Sequence, residues 1–253
     1  MAELDDVKRE VVIASRMLYE MGLADGPTIE RGHASMRLPS QPDRFVIKGL
    51  GPALSLVGED DLLVCDLDGF KTDGPKELNV PNEVKMHSCI LRARPDVASV
   101  VHVHPRFTVL MSVLQVGLGP MCIEGMPMLR KGVPVFPSPR LIVREEDGVE
   151  VANLMGDADA ILLQGHGAAT AGADLESALL NMLSLEEQAR MNYYAYAAAG
   201  PDHPTITPEQ TAEFVANMRA MPDQPHLKPE GAPTPRKPSG VWKHFQRLIE
   251  DRG

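Results

Sequence analysis

Two spacings of apolar residues alternate along the chain. Residues 4–22 place Val7, Val11, Val12, Leu18 and Met21 at helical intervals, and Gly22 and Gly26 stop the run, which predicts an opening α-helix. From Ala34 to Asp68 the apolar positions come in short alternating pieces with Pro, Gly and Asp between them. There "RFVIK" and "DLLVCDLDG" read as strands joined by turns. Pro81 and Asn82 open a second helix, with Asn82 as its candidate N-cap and Pro95 as its stop. "ASVVHVH" reads as a strand and "FTVLMSVLQ" as a helix broken by Gly117, Gly119 and Pro120. "VPVF" and "RLIV" read as short strands, and residues 145–156 as a helix. "AILLQGHG" has the pattern of a buried strand that ends in a glycine turn. Asp174 then caps a long helix reaching about Ala199.

The pattern changes after Gly200. "GPDHPTITP" reads as a loop, "EQTAEFVANMRAM" as a helix and "PDQPHLKPEGAPTPRKPSG" as an extended Pro-rich linker. The amphipathic "VWKHFQRLIE" closes the chain as a tail helix, expected to dock on its own core or on a neighbouring subunit. The expected division is a main α/β domain over residues 1–220 and an extension over residues 221–253.

Composition narrows the function classes. With 253 residues, 43% of them hydrophobic and 24% charged, an ordinary globular interior is available. A net charge of −10 and 4% aromatics argue against a nucleic-acid partner. No apolar run approaches the ~20 residues that cross a bilayer, so no membrane partner is expected. The acidic start MAELDDVKREVV lacks the basic and apolar regions of a signal peptide. Cys65, Cys89 and Cys122 are odd in number and widely spaced, which argues against a disulfide framework. The expectation is a soluble cytoplasmic protein.

The chemistry gathers around histidines. In "VVHVHP" the period of a strand puts His102 and His104 on one face, where two imidazoles can chelate one ion. A pair of histidines on a half-exposed strand is the plainer alternative. "LLQGHGA" sets His166 at a strand end flanked by glycines, and Glu83 starts the helix just before the His-x-His strand. Three imidazoles and one carboxylate suit one divalent transition metal per subunit (Zn, Mn, Fe or Co) rather than Mg or Ca.

"RGHASMR", "PNEVKMHSCILRARPDVASVVHVHP" and "ILLQGHGAATAGADLESAL" together resemble the class II aldolase/adducin family. The resemblance runs from about Val7 to about Met218. It implies a three-layer α/β/α fold with a central, mostly antiparallel sheet. It also implies His102, His104 and His166 as metal ligands, Glu83 as a ligand or catalytic acid/base, and a homotetramer with active sites at subunit interfaces.

The departures from that pattern are as informative as the matches. Sugar-phosphate aldolases of the family hold phosphate with small polar residues in three loops. Here His33 stands where Asn is expected, Ile47-Lys48-Gly49-Leu50-Gly51 has no hydroxyl, and Pro81-Asn82 replaces a pair of serines. The tyrosine that donates a proton in those aldolases has no counterpart in "PMCIEGM", where Glu124 is the nearest ionisable residue. A phosphate dianion needs several convergent donors, so their loss argues against a phosphorylated sugar. "GHAS", "HPRFTVLMSV" and "LEEQARMNYYAYAAAG" are similar to the family's decarboxylases of hydroxylated aromatic or pyridine acids.

The expected function is therefore a metal-dependent decarboxylase acting on a small-molecule carboxylic acid. Glu83 or His33 would deliver the proton, and Lys48, Ser35, Arg31 and Asn82 would bind substrate, with Arg37 and Arg106 as further candidate cations. His87, one turn after Glu83, reads as a partner of Glu83 or of the metal, or as a structural helix histidine. An aldolase, epimerase or dehydratase on a sugar phosphate or sugar acid is the alternative enzyme. A non-catalytic, adducin-like interaction module is the alternative outside enzymes.

Overall fold

The computed structural model describes residues 2–227 and 238–251. The opening periodicity becomes helix α1 (Ala2–Glu20). Strands β1 (His33–Leu38), β2 (Gln41–Lys48), β3 (Leu62–Asp66) and β4 (Lys71–Asp73) follow. Helix α2 (Val84–Ala93) then leads into β5 (Ser99–Val103), α3 (Arg106–Leu114) and α4 (Met126–Leu129). The second half holds β6 (Val135–Phe136), α5 (Glu145–Met155), β7 (Ala160–Leu163), β8 (Gly167–Gly172) and α6 (Leu175–Ala199). Helices α7 (Pro208–Ala220) and α8 (Gly240–Glu250) complete it.

The eight strands form one sheet in the order β4-β3-β2-β1-β5-β8-β7-β6. Every neighbouring pair is antiparallel except β6 and β7. Alternation along each strand sends apolar side chains to both faces, and helices cover both. On one face Ala34, Val46, Val101, Val103 and Ala168 pack against Val11, Leu18, Leu179 and Met182 of α1 and α6. On the other, Phe45, Ile47, Val100 and Ala169 pack against Met86 and Ile90 of α2 and Val151 and Met155 of α5. This is the expected three-layer α/β/α arrangement.

Two local expectations change, and one strand was unforeseen. Asn82 does not cap α2; Glu83 occupies the N-cap position and its carboxylate makes no cap hydrogen bond, because it is turned to other partners. "RLIV" forms no strand. Ile142 is buried while Leu141 and Val143 are exposed, and Leu141 lines a cleft instead of joining a strand ladder. The strand in "AILLQGHG" ends at Leu163, and the turn feeds β8, whose Gly-Ala-Ala-Thr-Ala-Gly sequence carries no apolar alternation.

The tail docks on its own chain. Trp242, Phe245 and Ile249 of α8 join the core beneath α1, and the Ser239 amide donates to Glu176 Oε1 at 2.7 Å. The Pro-rich linker expected from the sequence lies largely outside the described residues, at 228–237.

Candidate metal centre

The centre forms where β1, β5 and the β7–β8 turn meet the start of α2. His102 lies in the strand interior and is fully buried. Its Nδ1 is 2.9 Å from the Ala168 carbonyl across the β5–β8 ladder. A carbonyl can only accept, so that contact places the proton on Nδ1 and leaves Nε2 as a bare lone pair. His104 follows two residues later on the same face, and its Nε2 is 3.1 Å from His102 Nε2. His166 enters from the β7–β8 turn. Gly165 adopts φ +67° there, and a Cβ on Gly167 would meet Val103 O at 2.5 Å and His104 Cδ2 at 2.6 Å. The glycines around His166 are thus what allow its turn to close on β5.

Glu83 faces the three rings from α2. Its Oε2 is 3.2 Å from His102 Nε2 and 3.4 Å from His166 Nε2. Its Oε1 accepts a 3.0 Å hydrogen bond from the Ile142 amide, which orients the carboxylate. Burial pushes the Glu83 carboxyl up, but the neighbouring His102 and His166 outweigh it and hold it well below the usual carboxylate range. Burial, then the neighbouring His102 and His166, press His104 down to about 3. Its ring is therefore neutral, as a ligand must be.

The four donors fit a divalent transition ion. One atom from each of Glu83, His102, His104 and His166 lies within 4.8 Å of all the others. Donors about 2.1 Å from a tetrahedral ion sit roughly 3.4 Å apart, close to the three contacts above. Neither buried ring nitrogen of His166 finds a hydrogen-bond partner within the protein. Buried orphans of that kind call for an explanation, and a ligated ion supplies one.

The donors open into a cleft of about 850 Å3 lined by Glu83, His104 and His166 together with Arg31, His33, Asn82 and Arg106. Leu50, Val109 and Leu141 give it an apolar side. His33 sits directly across the β1–β5 ladder from His102, their rings stacked 6.2 Å apart. Burial, His87 and His102 depress its pKa well below the usual imidazole range.

Two of the expected substrate ligands are employed elsewhere. Lys48 is 1% exposed and absent from the cleft wall. Its ammonium donates to the carbonyls of Pro52 at 2.8 Å, Gly49 at 3.2 Å and Glu30 at 3.3 Å, using all three of its donors. Ser35 is fully buried, with its Oγ 2.8 Å from His87 Nδ1, and so braces His87 rather than substrate. Arg37 is likewise spent on the carbonyls of Leu91, Val97 and Pro42. Arg31, His33 and Asn82 do line the cleft, as does Arg106, which pairs with Asp25 at 3.0 Å near the surface.

Sequence reasoning missed the Ile142 amide as the partner of Glu83, since a backbone donor leaves no residue-type signal. It also missed Glu186. That half-buried carboxylate accepts from Phe107 N, Thr108 N and Thr108 Oγ1 and so caps α3 from a different helix. This cap fixes the helix that carries Arg106 and Val109 into the cleft.

Fold and donor set together define a family. The model for the class II aldolase and adducin N-terminal domain matches residues 9–193, and the chain belongs to that family. Among curated relatives, it is similar to the 3,4-dihydroxyphthalate decarboxylase of Arthrobacter keyseri, 32% identical over 203 residues that span 76% of this chain and 80% of that one. It is also similar to the L-fuculose phosphate aldolase of Methanocaldococcus jannaschii, 27% identical over 186 residues covering 73% of this chain and 94% of that one. An aldolase II superfamily protein from Pseudomonas syringae shares the fold, with TM-score 0.79 at 21% identity over 100% of this chain and 95% of that one. Among the described residues, no helix is long and apolar enough to cross a membrane.

Proposed function

We propose that this chain is a metal-dependent carboxy-lyase that removes CO2 from a hydroxylated aromatic or pyridine acid. The observation that carries the reading is the Glu83, His102, His104 and His166 cluster, which opens into a cleft whose other polar side chains are Arg31, Arg106, His33, Asn82, Glu30 and Thr28. That wall suits a flat carboxylic acid and lacks the ring of hydroxyls that a sugar phosphate requires. The likeness to the Arthrobacter decarboxylase over most of both chains points the same way.

A divalent transition ion held by the four donors would supply an electrophile that stabilises negative charge on a ring hydroxyl oxygen. The remaining work falls to side chains. Arg106 draws the acid toward the cleft. His33 presents its ring at the wall, beside the donors; held neutral in the free protein, it takes the proton that the substrate's ring hydroxyl gives up and passes it to the ring carbon that bears the leaving carboxylate. The bond from that carbon to the carboxyl carbon breaks, its electron pair stays with the ring, and the proton closes a C–H bond as CO2 departs. Glu83 is the alternative donor. Leu50 and Leu141 are apolar, exposed and at the cleft mouth, which supports the same reading's homo-oligomer with shared active sites.

The test is direct. Purified protein loaded separately with Mn, Zn, Co or Fe(II) is incubated with hydroxylated benzene and pyridine acids, 3,4-dihydroxyphthalate among them. CO2 release with at least one metal is expected. No release with any metal, alongside cleavage of a sugar phosphate, would replace this reading with that of an aldolase.

A further inference from the structure

Arg31 differs from every other cation near the cleft. Lys48 and Arg37 are consumed by carbonyls, and Arg106 is paired with Asp25. The Arg31 guanidinium has no hydrogen bond or ion pair among the described residues, although it lines the cleft in a chain of net charge −10. It is close enough to the centre for its charge to add to the lowering of the His104 pKa.

The backbone beneath it is held on three sides. The Arg31 amide donates to Thr28 O at 2.9 Å. The preceding Glu30 carbonyl accepts from the buried Lys48 ammonium at 3.3 Å. On the far side Gly32, at φ +105°, passes so near β5 that a Cβ would lie 2.7 Å from the His102 carbonyl oxygen. A free, flexible cation is ordinary on a surface. A free cation on a backbone pinned this firmly beside a metal centre is a mounted receptor for an anion.

We infer that Arg31 receives a second carboxylate of the substrate, one that stays on the ring, so that the natural substrate is an aromatic dicarboxylate. This inference rests on the carboxy-lyase reading. In it the carboxylate beside the ring hydroxyl lies toward His33 and the four donors and leaves as CO2. The other pairs with the Arg31 guanidinium and fixes which carboxylate can reach the proton donor. Lys48 is then a positioning residue, acting through the Glu30 carbonyl on the turn that carries Arg31.

The test compares 3,4-dihydroxyphthalate with 2,3-dihydroxybenzoate, the same ring without the retained carboxylate, on metal-loaded wild type and Arg31→Gln. Loss of one charged hydrogen-bonding partner corresponds to roughly 10- to 100-fold. The expected result is a drop of that size in kcat/KM for the dicarboxylate only, with 2,3-dihydroxybenzoate changed less than about 3-fold. Calorimetric binding of 3,4-dihydroxybenzoate against catechol provides a second readout independent of turnover. Wild type should prefer the acid, and Arg31→Gln should lose that preference. An unchanged substrate ratio, or an equal loss on both substrates, overturns the assignment. If wild type releases CO2 from neither substrate, the carboxy-lyase reading falls, and the binding preference alone then decides the role of Arg31. Absence of that preference in wild type overturns it.

Discussion

The chelator-stripped protein should lose stability as the medium turns mildly acidic, and the structure sets the amount. His87 and His104 are buried imidazoles pressed down to about 3, in His87 by burial and then His102, in His104 by burial and then His102 and His166. Their unfolded counterparts titrate near 6.5. The folded state therefore binds fewer protons than the unfolded state at any pH between those values, so stability falls as pH falls. At about pH 5.5 an unfolded imidazole has gained a proton that the folded one refuses, which costs roughly 1.4 kcal/mol per ring, or about 3 kcal/mol for the pair relative to about pH 8. That figure requires only that both rings stay neutral at the lower pH. His33 is shifted the same way and adds to the loss, while Glu10 and Glu186, raised by burial, work against it. Glu83, depressed below the ordinary carboxylate range, contributes stability that is lost only as pH falls below about 4.5, outside this window. Urea unfolding of the stripped protein at the two pH values gives the difference directly. His87→Leu should shrink it by about 1.4 kcal/mol. A difference under about 1 kcal/mol, or a protein more stable at the lower pH, would refute the neutral-cluster picture.

Two further outcomes test the centre and its support. His102→Ala should abolish stoichiometric binding of a transition metal by elemental analysis, because it removes the ring that Ala168 locks into its ligating tautomer; an unchanged metal content would place the ion elsewhere. Gly32→Ala should destabilise by about 2–6 kcal/mol, combining backbone strain at φ +105° with a Cβ 2.7 Å from both His102 O and Val103 Cγ1. A thermal melt should show it as a fall of roughly 4–24 °C, and an unshifted melt would mean the turn does not pack as described.

Much of this was legible because it follows from periodicity. The period of two along β5 put His102 and His104 on one face before any fold was known, and helical spacing marked α1 and α6. What failed did so for physical reasons. β8 is built of Gly, Ala and Thr, small because α6 lies against it: a Cβ on Gly172 would come within 2.4 Å of Ala178 N. Such a strand shows no amphipathic pattern. "RLIV" has strand-forming residues, but the fold uses one backbone amide, that of Ile142, to hold Glu83. Lys48 and Ser35 stand where the family resemblance implied substrate-binding positions, yet their side chains point to carbonyls and to His87. Residue type declares a charge or a hydroxyl; only the neighbours decide what it serves.

The order of the strands carries one more consequence. The first four strands and the last four meet at a single seam, β1 against β5. His33 and Glu83 precede β5 in the chain, and His102, His104 and His166 lie on β5 or after it. A shared ion would rivet the halves together there, while β4 and β6 lie at the outer edges and support no donor. Evolutionary drift is therefore cheap at the rims of the sheet and expensive at its middle. A family built on this frame can change the rims and cleft loops to take new substrates while its reactive centre stays in place.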